Sequence, residues 1–255
     1  MDKEKLGSET AKSGFVNEDY VVDEFNKVEK SKYAKKWLTE IGYDVTKITN
    51  VDAKTSRKLG LGNIKSDVIV SVNNDEIGIS VKKSTASFNQ IDKRWADTYQ
   101  ELLEIPDDVV TILKKYAGEE GFQPENFPDC KIEELKDRRR FYINELSERE
   151  QKRLLSYLES IKKKIFEMVF RGEGDFSPKF LLVVKYNDKK EIIDSKIVTM
   201  DEAIKYYSEG EMTITKNGNI DIGRIHLQRK GGDNGRKTAQ MLQFKFSPNE
   251  IFDIK

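Results

Sequence analysis

The stretch "DVIVSVNNDEIGISVK", residues 67–82, constrains the fold more than any other part of the chain. Its apolar residues alternate with a period of two on both sides of an Asn-Asn-Asp break, the pattern of a β-hairpin with one face in a core. Val68, Val70 and Val72 point one way, and Ile77, Ile79 and Val81 join them if the turn centres on Asn74–Asp75. That register sets Asp67 opposite Lys82 and Ile69 opposite Ser80, all four on the face away from the valines. A carboxylate and an ammonium then meet at the open end of the hairpin. As a plain cross-strand ion pair they would be worth about 0.2–1 kcal/mol.

A second carboxylate adds to this pair. In "NEDYVVDEFNKV" the apolar helical face is Val21, Val22, Phe25 and Val28, and Glu18 lies three, four and seven residues before the first three. Glu18 therefore shares the core-facing stripe. A carboxylate there is costly unless something positive binds it, although a first-turn position in water would also suit it. Two acids and a lysine at the end of a small sheet can hold Mg²⁺ through oxygen ligands and activate water for attack on a phosphodiester. The lysine would orient that water or offset charge on phosphorus.

The rest of the chain reads as an α/β arrangement. Residues 17–41 suggest two helices, the second stopped by Gly42, and "YDVTKITNV" a strand. Residues 89–104, "NQIDKRWADTYQELLE", suggest a helix, and another starts behind Pro106. A long helical region is expected over about 132–171. Strands follow in "KFLLVVKYN", "EIIDSKIVT", "NIDIGRIHLQ" and "AQMLQFKF", interrupted by a short helix in "MDEAIKYYSEG". Trp37 and Trp95 are expected in the core.

The 45 basic residues are balanced by 45 acidic ones, so any affinity for nucleic acid must come from local patches. One such patch is "HLQRKGGDNGRKT", which gathers Arg229, Lys230, Arg236 and Lys237 around a Gly-rich loop. Gly223 suggests a bulge in the strand leading in, and Leu242, Phe244 and Phe246 alternate on the strand leading out, so the loop is expected on a rigid two-stranded arm. Arginine or lysine can donate to guanine, aspartate can accept from cytosine and asparagine can pair with adenine. Arg229, Lys230, Asp233, Asn234 and Arg236 offer all three kinds, although Asp-Asn-Gly is also an ordinary turn. Lys83, Gln90 and Lys93, just after Lys82, are further candidates for DNA contact. His226, the only histidine, is expected to be structural or a minor contact. Cys130 is alone, which excludes an internal disulfide. No apolar run approaches the ~20 residues of a membrane helix, and "MDKEKLGSETAKSG" lacks a signal-peptide core, so a cytoplasmic protein is expected.

Several blocks, in order, resemble the HinP-type type II restriction endonucleases of the PD-(D/E)XK fold. They are "LGSETAKSGFVNE", "KSD" at 65–67, "FNQIDKRW" at 88–95, "KDRRRF" at 136–141, "RGEGDF" at 171–176, "GRIHLQRKGGDNGRKTAQMLQFK" and "FDI". The resemblance implies a single endonuclease domain over 1–255. Its catalytic hairpin lies within 65–84 and its DNA-recognition strands and loop fall at about 211–246. By position, the metal-binding aspartate falls on Asp67 and the catalytic lysine on Lys82. Ser80 stands where the family pattern has an acidic or amide ligand, so the implied metal set is Asp67, Glu18 and Ser80. Also implied are Mg²⁺, double-stranded DNA with a short GC-rich target (GCGC first), 5′-phosphate ends, a partner DNA methyltransferase, and action as a monomer or weak homodimer. Two other readings fit the residues: a structure-selective nuclease on the same core, and a DNA-binding module without catalysis, which Ser80 favours.

Overall fold

The computed structural model describes residues 3–60 (side chains from residue 14 onward), 64–84, 88–125, 140–174, 176–231 and 237–254. Helices α1 (Lys3–Asn26) and α2 (Lys32–Glu40) come first, followed by β1 (Val51–Thr55), β2 (Val68–Val72), β3 (Asp75–Lys83) and β4 (Asn89–Arg94). Then come α3 (Ala96–Leu103), α4 (Asp107–Ala117), α5 (Glu148–Ser160), α6 (Lys162–Arg171), β5 (Phe180–Tyr186) and β6 (Ile192–Thr199). Last are α7 (Met200–Ser208), β7 (Met212–Ile214), β8 (Ile220–Ile222), β9 (Ile225–Arg229) and β10 (Leu242–Phe246).

The chain divides into two compact units. One holds Met1–Asn89, Glu167–Tyr206 and Ser247–Lys255; the other holds Gln90–Phe166 and Tyr207–Phe246. The first is built on a mixed sheet of order β1-β2-β3-β5-β6, in which only the β3–β5 pairing is parallel. The second has a five-stranded sheet of order β4-β10-β9-β8-β7.

In the first unit, Val21, Val22 and Phe25 of α1 and Ala34, Trp37 and Leu38 of α2 cover one face of the sheet. They bury Val68, Val70, Val72, Ile77, Ile79 and Val81 of the hairpin, together with Leu182 and Val184 of β5. The Trp37 indole N–H donates to Ser195 Oγ at 2.9 Å, so its polar edge is satisfied inside the core. The alternation therefore assigned the faces correctly, but the register differs by two residues. Val68 pairs with Ile79, where a turn centred on Asn74–Asp75 would have paired it with Val81. The turn is Asn73–Asn74, with Asn73 at φ 52. Asparagine tolerates that conformation, and Asn73 Oδ1 accepts from the Thr49 and Asn50 amides at 2.9 and 3.2 Å. A shift of two keeps every side chain on its face, which is why the core was legible despite it.

Other expectations needed correction. Helix α1 begins at Lys3, because the apolar stripe that marks a helix in sequence covers only its packed half. "YDVTKITNV" opens with a 3₁₀ turn at Val45–Lys47, where Asp44 Oδ1 accepts from the Thr46 amide, and the strand starts at Val51. Residues 89–94 form a strand beside β10, and only from Ala96 does the chain become helical. Ile91, Trp95 and Tyr99 have helical spacing, and a tertiary strand partner overrides it. Trp95 is half-buried, unlike the buried Trp37. The expected long helix over 132–171 falls partly outside the described residues. Where described, it is a single turn at Ile143–Glu145 and then α5 and α6, with α5 started by a capping box between Ser147 and Glu150.

"NIDIGRIHLQ" is two strands, not one with a bulge. Ile222 pairs with Ile225 across a turn at Gly223–Arg224, which produces the same parity break. Consequently β9 and β10 are inner strands of a five-stranded sheet and not a two-stranded arm. Gly223 has φ 57, and a Cβ there would lie 2.7 Å from the Tyr207 carbonyl oxygen and 2.9 Å from that of Glu209. Gly223→Ala is therefore expected to destabilise by more than about 1 kcal/mol, seen as a lower urea midpoint at unchanged slope.

Candidate active site

Asp67 stands just outside the hairpin ladder. Its amide donates to Ile79 O at 3.0 Å, although Ile79 is already the partner of Val68, and its carbonyl accepts from the Ser56 amide at 3.1 Å. The backbone of Asp67 is thus bound to β3 through its N–H and to the end of β1 through its C=O. Its carboxylate reaches along β3. Oδ2 accepts from the Val81 amide at 2.7 Å, from Lys82 Nζ at 2.7 Å and from Ser80 Oγ at 3.1 Å. All three bonds fall on one oxygen. Oδ1 takes no hydrogen bond among the described residues.

Lys82 Nζ also donates to Val81 O at 3.1 Å. The strand beneath it is fixed by parallel pairing of Lys82 with Val183 of β5. Asp67 and Lys82 side chains keep 25% and 20% of their accessible surface, so the pair is shielded yet open to water on one side.

Glu18 arrives from α1 with its side chain only 14% exposed, and Oε2 accepts from Arg57 Nε at 3.1 Å. Its other oxygen has no such partner among the described residues. Burial raises the Glu18 pKa, and the nearby Asp67 charge raises it further; the Arg57 bond and charge and the Lys82 charge oppose this. Two carboxylates thus feel one another, and each has one oxygen committed to a cation and one uncommitted. A hard divalent cation fits that donor set, since Mg²⁺ is commonly held by one or two carboxylates plus water and phosphate oxygens. Among the described residues no group of three or more His, Cys, Asp or Glu side chains gathers, so these two carboxylates are the available charged ligands. Ser80 spends its proton on Asp67 and so braces the carboxylate.

Behind Asp67, Lys65 and Ser66 pack against Gly172 and Phe176. Ser66, fully buried, donates from Oγ to Phe176 O at 2.6 Å. The Lys65 stem lies on Gly172, where a Cβ would come within 2.3 Å of Lys65 Cγ. Across the hairpin, Gly78 leaves room for Ser66, whose Oγ a Cβ at 78 would meet at 2.2 Å. Sequence reasoning missed both this clamp and Arg57. Glycines beside a serine gave a faint signal for the clamp, and nothing in "TSRKLG" marked Arg57.

The residues proposed to touch DNA fall in three groups. Lys83 is exposed in the first unit, 5.8 Å above the Tyr186 ring. In the second unit Gln90 is exposed and Lys93 half-buried on β4, and Lys230 is half-buried with its amide donating to Met241 O at 2.7 Å. Arg229 is only 6% exposed, and its Nε donates to Ala117 O at 2.6 Å at the end of α4. That placement gives its guanidinium a structural task, holding the strand end that leads into the loop. Asp233, Asn234 and Arg236 lie outside the described residues. His226 pairs with Asp221 on the neighbouring strand, in keeping with a structural role.

A mixed sheet carrying a carboxylate and a lysine at the end of its central hairpin is the architecture of a restriction endonuclease. The solved structure of the restriction endonuclease MspI in complex with its cognate DNA shares the fold, with a TM-score of 0.59 at 17% identity over 91% of this chain and 88% of that one. The R.HinP1I restriction endonuclease family profile matches residues 41–252, and the chain belongs to that family of type II site-specific deoxyribonucleases. The matched span includes Arg57, Asp67, Ser80 and Lys82 and begins after Glu18. Comparison with curated protein sequences finds no match.

Ser80→Ala removes one of three donors to Asp67 Oδ2. A hydrogen bond to a charged group contributes about 1.5–3 kcal/mol, so the cleavage rate should fall by roughly 10-fold to 100-fold. The metal concentration for half-maximal rate should stay unchanged; a large rise in it would make Ser80 a ligand instead.

Proposed function

We propose that this endonuclease cleaves double-stranded DNA at a short GC-rich sequence, GCGC first, by Mg²⁺-dependent hydrolysis that leaves 5′-phosphate ends. The observation that carries the proposal is the pair of uncommitted oxygens, Asp67 Oδ1 and Glu18 Oε1, beside a lysine already held in place. The sequence resemblance supports the GC-rich target and a protective methyltransferase as functional partner. Double-stranded DNA as substrate is supported by the family and by the DNA-bound MspI complex. Action as a monomer or weak homodimer in the cytoplasm belongs to the same proposal. No helix among the described residues is long and apolar enough to cross a membrane.

In this mechanism Asp67 and Glu18 would hold Mg²⁺ through the uncommitted oxygens. The chemistry supplied by a bound cation would be polarisation of the scissile phosphate and a lowered pKa of water. Asp67 Oδ2 and Val81 O hold the Lys82 ammonium, which orients the attacking water and offsets the charge that builds on phosphorus. Ser80 and the Val81 amide keep the Asp67 carboxylate from rotating. Lys83, Gln90, Lys93, Lys230 and Arg236 supply phosphate or base contacts, and Asp233 and Asn234 supply base contacts, while Arg229 secures the loop that bears three of them.

Plasmid DNA incubated with Mg²⁺, followed by sequencing of the ends, tests the proposal. Discrete fragments with one end sequence are expected, and EDTA should abolish them. A smear would instead indicate a nuclease that reads shape, and intact DNA a binding module. Asp67→Ala and Lys82→Ala should each lose most cleavage yet still retain DNA in a filter-binding assay, because binding rests on basic residues elsewhere. Full activity in either variant would dismiss the site. For the loop, Arg236→Ala should cost about 1–3 kcal/mol at one base pair, measured against single-base variants of the target. Uniform weakening on all sequences would reduce Arg236 to a phosphate contact.

A further inference from the structure

We propose that Arg57 is the positioning residue for Glu18, holding that carboxylate by one oxygen so that its other oxygen is presented beside Asp67. The inference rests on the reading that Glu18 and Asp67 together hold the divalent cation. The two carboxylates come from separate elements, a helix and the edge of a hairpin, and they repel one another. Helix α1 is anchored by Val21, Val22 and Phe25 after Glu18 and by Asn17 before it, which is buried and accepts from the Tyr186 hydroxyl, whereas Phe15 and Val16 are exposed. These contacts fix the helix, and the hydrogen-bond partner of the Glu18 carboxylate itself is Arg57.

Arg57 is built to aim that carboxylate. Its Nε donates to Glu18 Oε2 at 3.1 Å, and its Nη2 lies 3.5 Å from both the Phe15 carbonyl oxygen and Asp19 Oδ2. The guanidinium also stacks over the Phe15 ring, 4.2 Å from its centroid. One side chain thereby grips the turn of α1 that carries Glu18 on three sides. Its own backbone is tied to the other carboxylate, because the preceding residue, Ser56, donates its amide to Asp67 O. Residues 55–60 are closed into turns by Lys58 N to Thr55 O and Gly60 N to Arg57 O, which fix the base from which Arg57 extends. A relay of two residues thus links the Asp67 backbone to the Glu18 carboxylate. The planar fork of arginine suits this task, since its donors point in fixed directions. With the Arg57 side chain 37% exposed against 14% for Glu18, the arginine end of the pair is screened by water and its contribution to stability is modest. Its effect falls on the geometry of the site.

The sign of the effect separates positioning from mere charge. If Arg57 were only a nearby cation, Arg57→Ala would tighten metal binding by removing a repulsive charge. As a positioning residue, its loss lets Glu18 swing away and weakens binding. The experiment measures Mn²⁺ binding to the DNA-free protein from the electron paramagnetic resonance signal of unbound Mn²⁺. It also measures the Mg²⁺ concentration for half-maximal cleavage, kcat at saturating Mg²⁺, and thermal unfolding. Arg57→Ala is expected to weaken Mn²⁺ binding and raise the Mg²⁺ requirement by about 10-fold to 100-fold, the usual cost of losing an outer-shell partner. The Tm should change little, kcat at saturation should fall less than the metal affinity, and Arg57→Lys should recover part of the loss. Arg57→Met, which keeps the stem over Phe15 and removes every donor, is read the same way should the alanine variant not fold. Unchanged or tighter Mn²⁺ binding in a variant, with wild type binding Mn²⁺ and cleaving normally, overturns the inference about Arg57 alone. Wild type that binds no Mn²⁺ and cuts without added metal overturns the metal site itself.

Discussion

Three donors converge on Asp67 Oδ2, and much of the first sheet follows from keeping them there. The Val81 amide is available because Asp67 leaves the ladder: its own carbonyl turns to Ser56, and its carboxylate takes the N–H that β3 presents instead. Ser80 and Lys82 lie on alternate positions of the same strand, so one face of β3 delivers both side chains to the same oxygen. The parallel pairing with β5 then holds this part of β3 after β2 has ended. Behind it, the Ser66 bond to Phe176 O keeps the Asp67 backbone from drifting. Each support acts on a different atom, so the carboxylate is held in direction as well as position.

The degree of burial matters as much as the bonds. A fully buried Asp–Lys pair would have to offset a desolvation cost of several kcal/mol per ion and would be closed to substrate. A fully exposed one would be screened and free to rotate. At one-fifth to one-quarter exposure the two groups are shielded enough to stay paired and open enough for water and a phosphate to reach them. Glu18, more deeply placed, carries the electrostatic strain, because burial and the Asp67 charge both work against its ionised form. The arrangement is a poor stabiliser of the fold and a good receiver of positive charge.

Periodicity made the faces of the hairpin legible, and with them the meeting of Asp67, Ser80 and Lys82. It could not place the turn, because Asn73, Asn74 and Asp75 are all good turn residues and only the bonds from Thr49 and Asn50 select Asn73. Glu18 was visible as a polar interruption of an apolar stripe. Arg57 was not, since an exposed-looking arginine after a strand has no periodic context. The strand at 89–94 was hidden for a related reason: its identity comes from β10, more than 140 residues later, and no local pattern carries that pairing. The β8–β9 turn left its parity break in the sequence, and a bulge leaves the same mark. What was lost in each case is long-range information, and what was kept is local alternation.

Arg229 shows how a residue chosen for its charge can be fixed by packing. Its Nε binds Ala117 O, and on the other side of the basic loop Gln240 Nε2 binds Gly118 O at 2.9 Å. Those two carbonyls are adjacent at the C-terminal end of α4, where the helix leaves acceptors unpaired and its dipole favours a cation. Between the two side-chain anchors, Lys230 N bonds Met241 O and Gly231 N bonds Ala239 O, which continues the β9–β10 pairing up to the loop. The described residues on both sides of 232–236 are therefore fastened to the same end of one helix. Removing the Arg229 guanidinium would leave a helix-end carbonyl without its cation and one end of the loop unfastened. If the loop reads DNA as proposed, its loss would weaken that recognition even though the side chain itself faces α4.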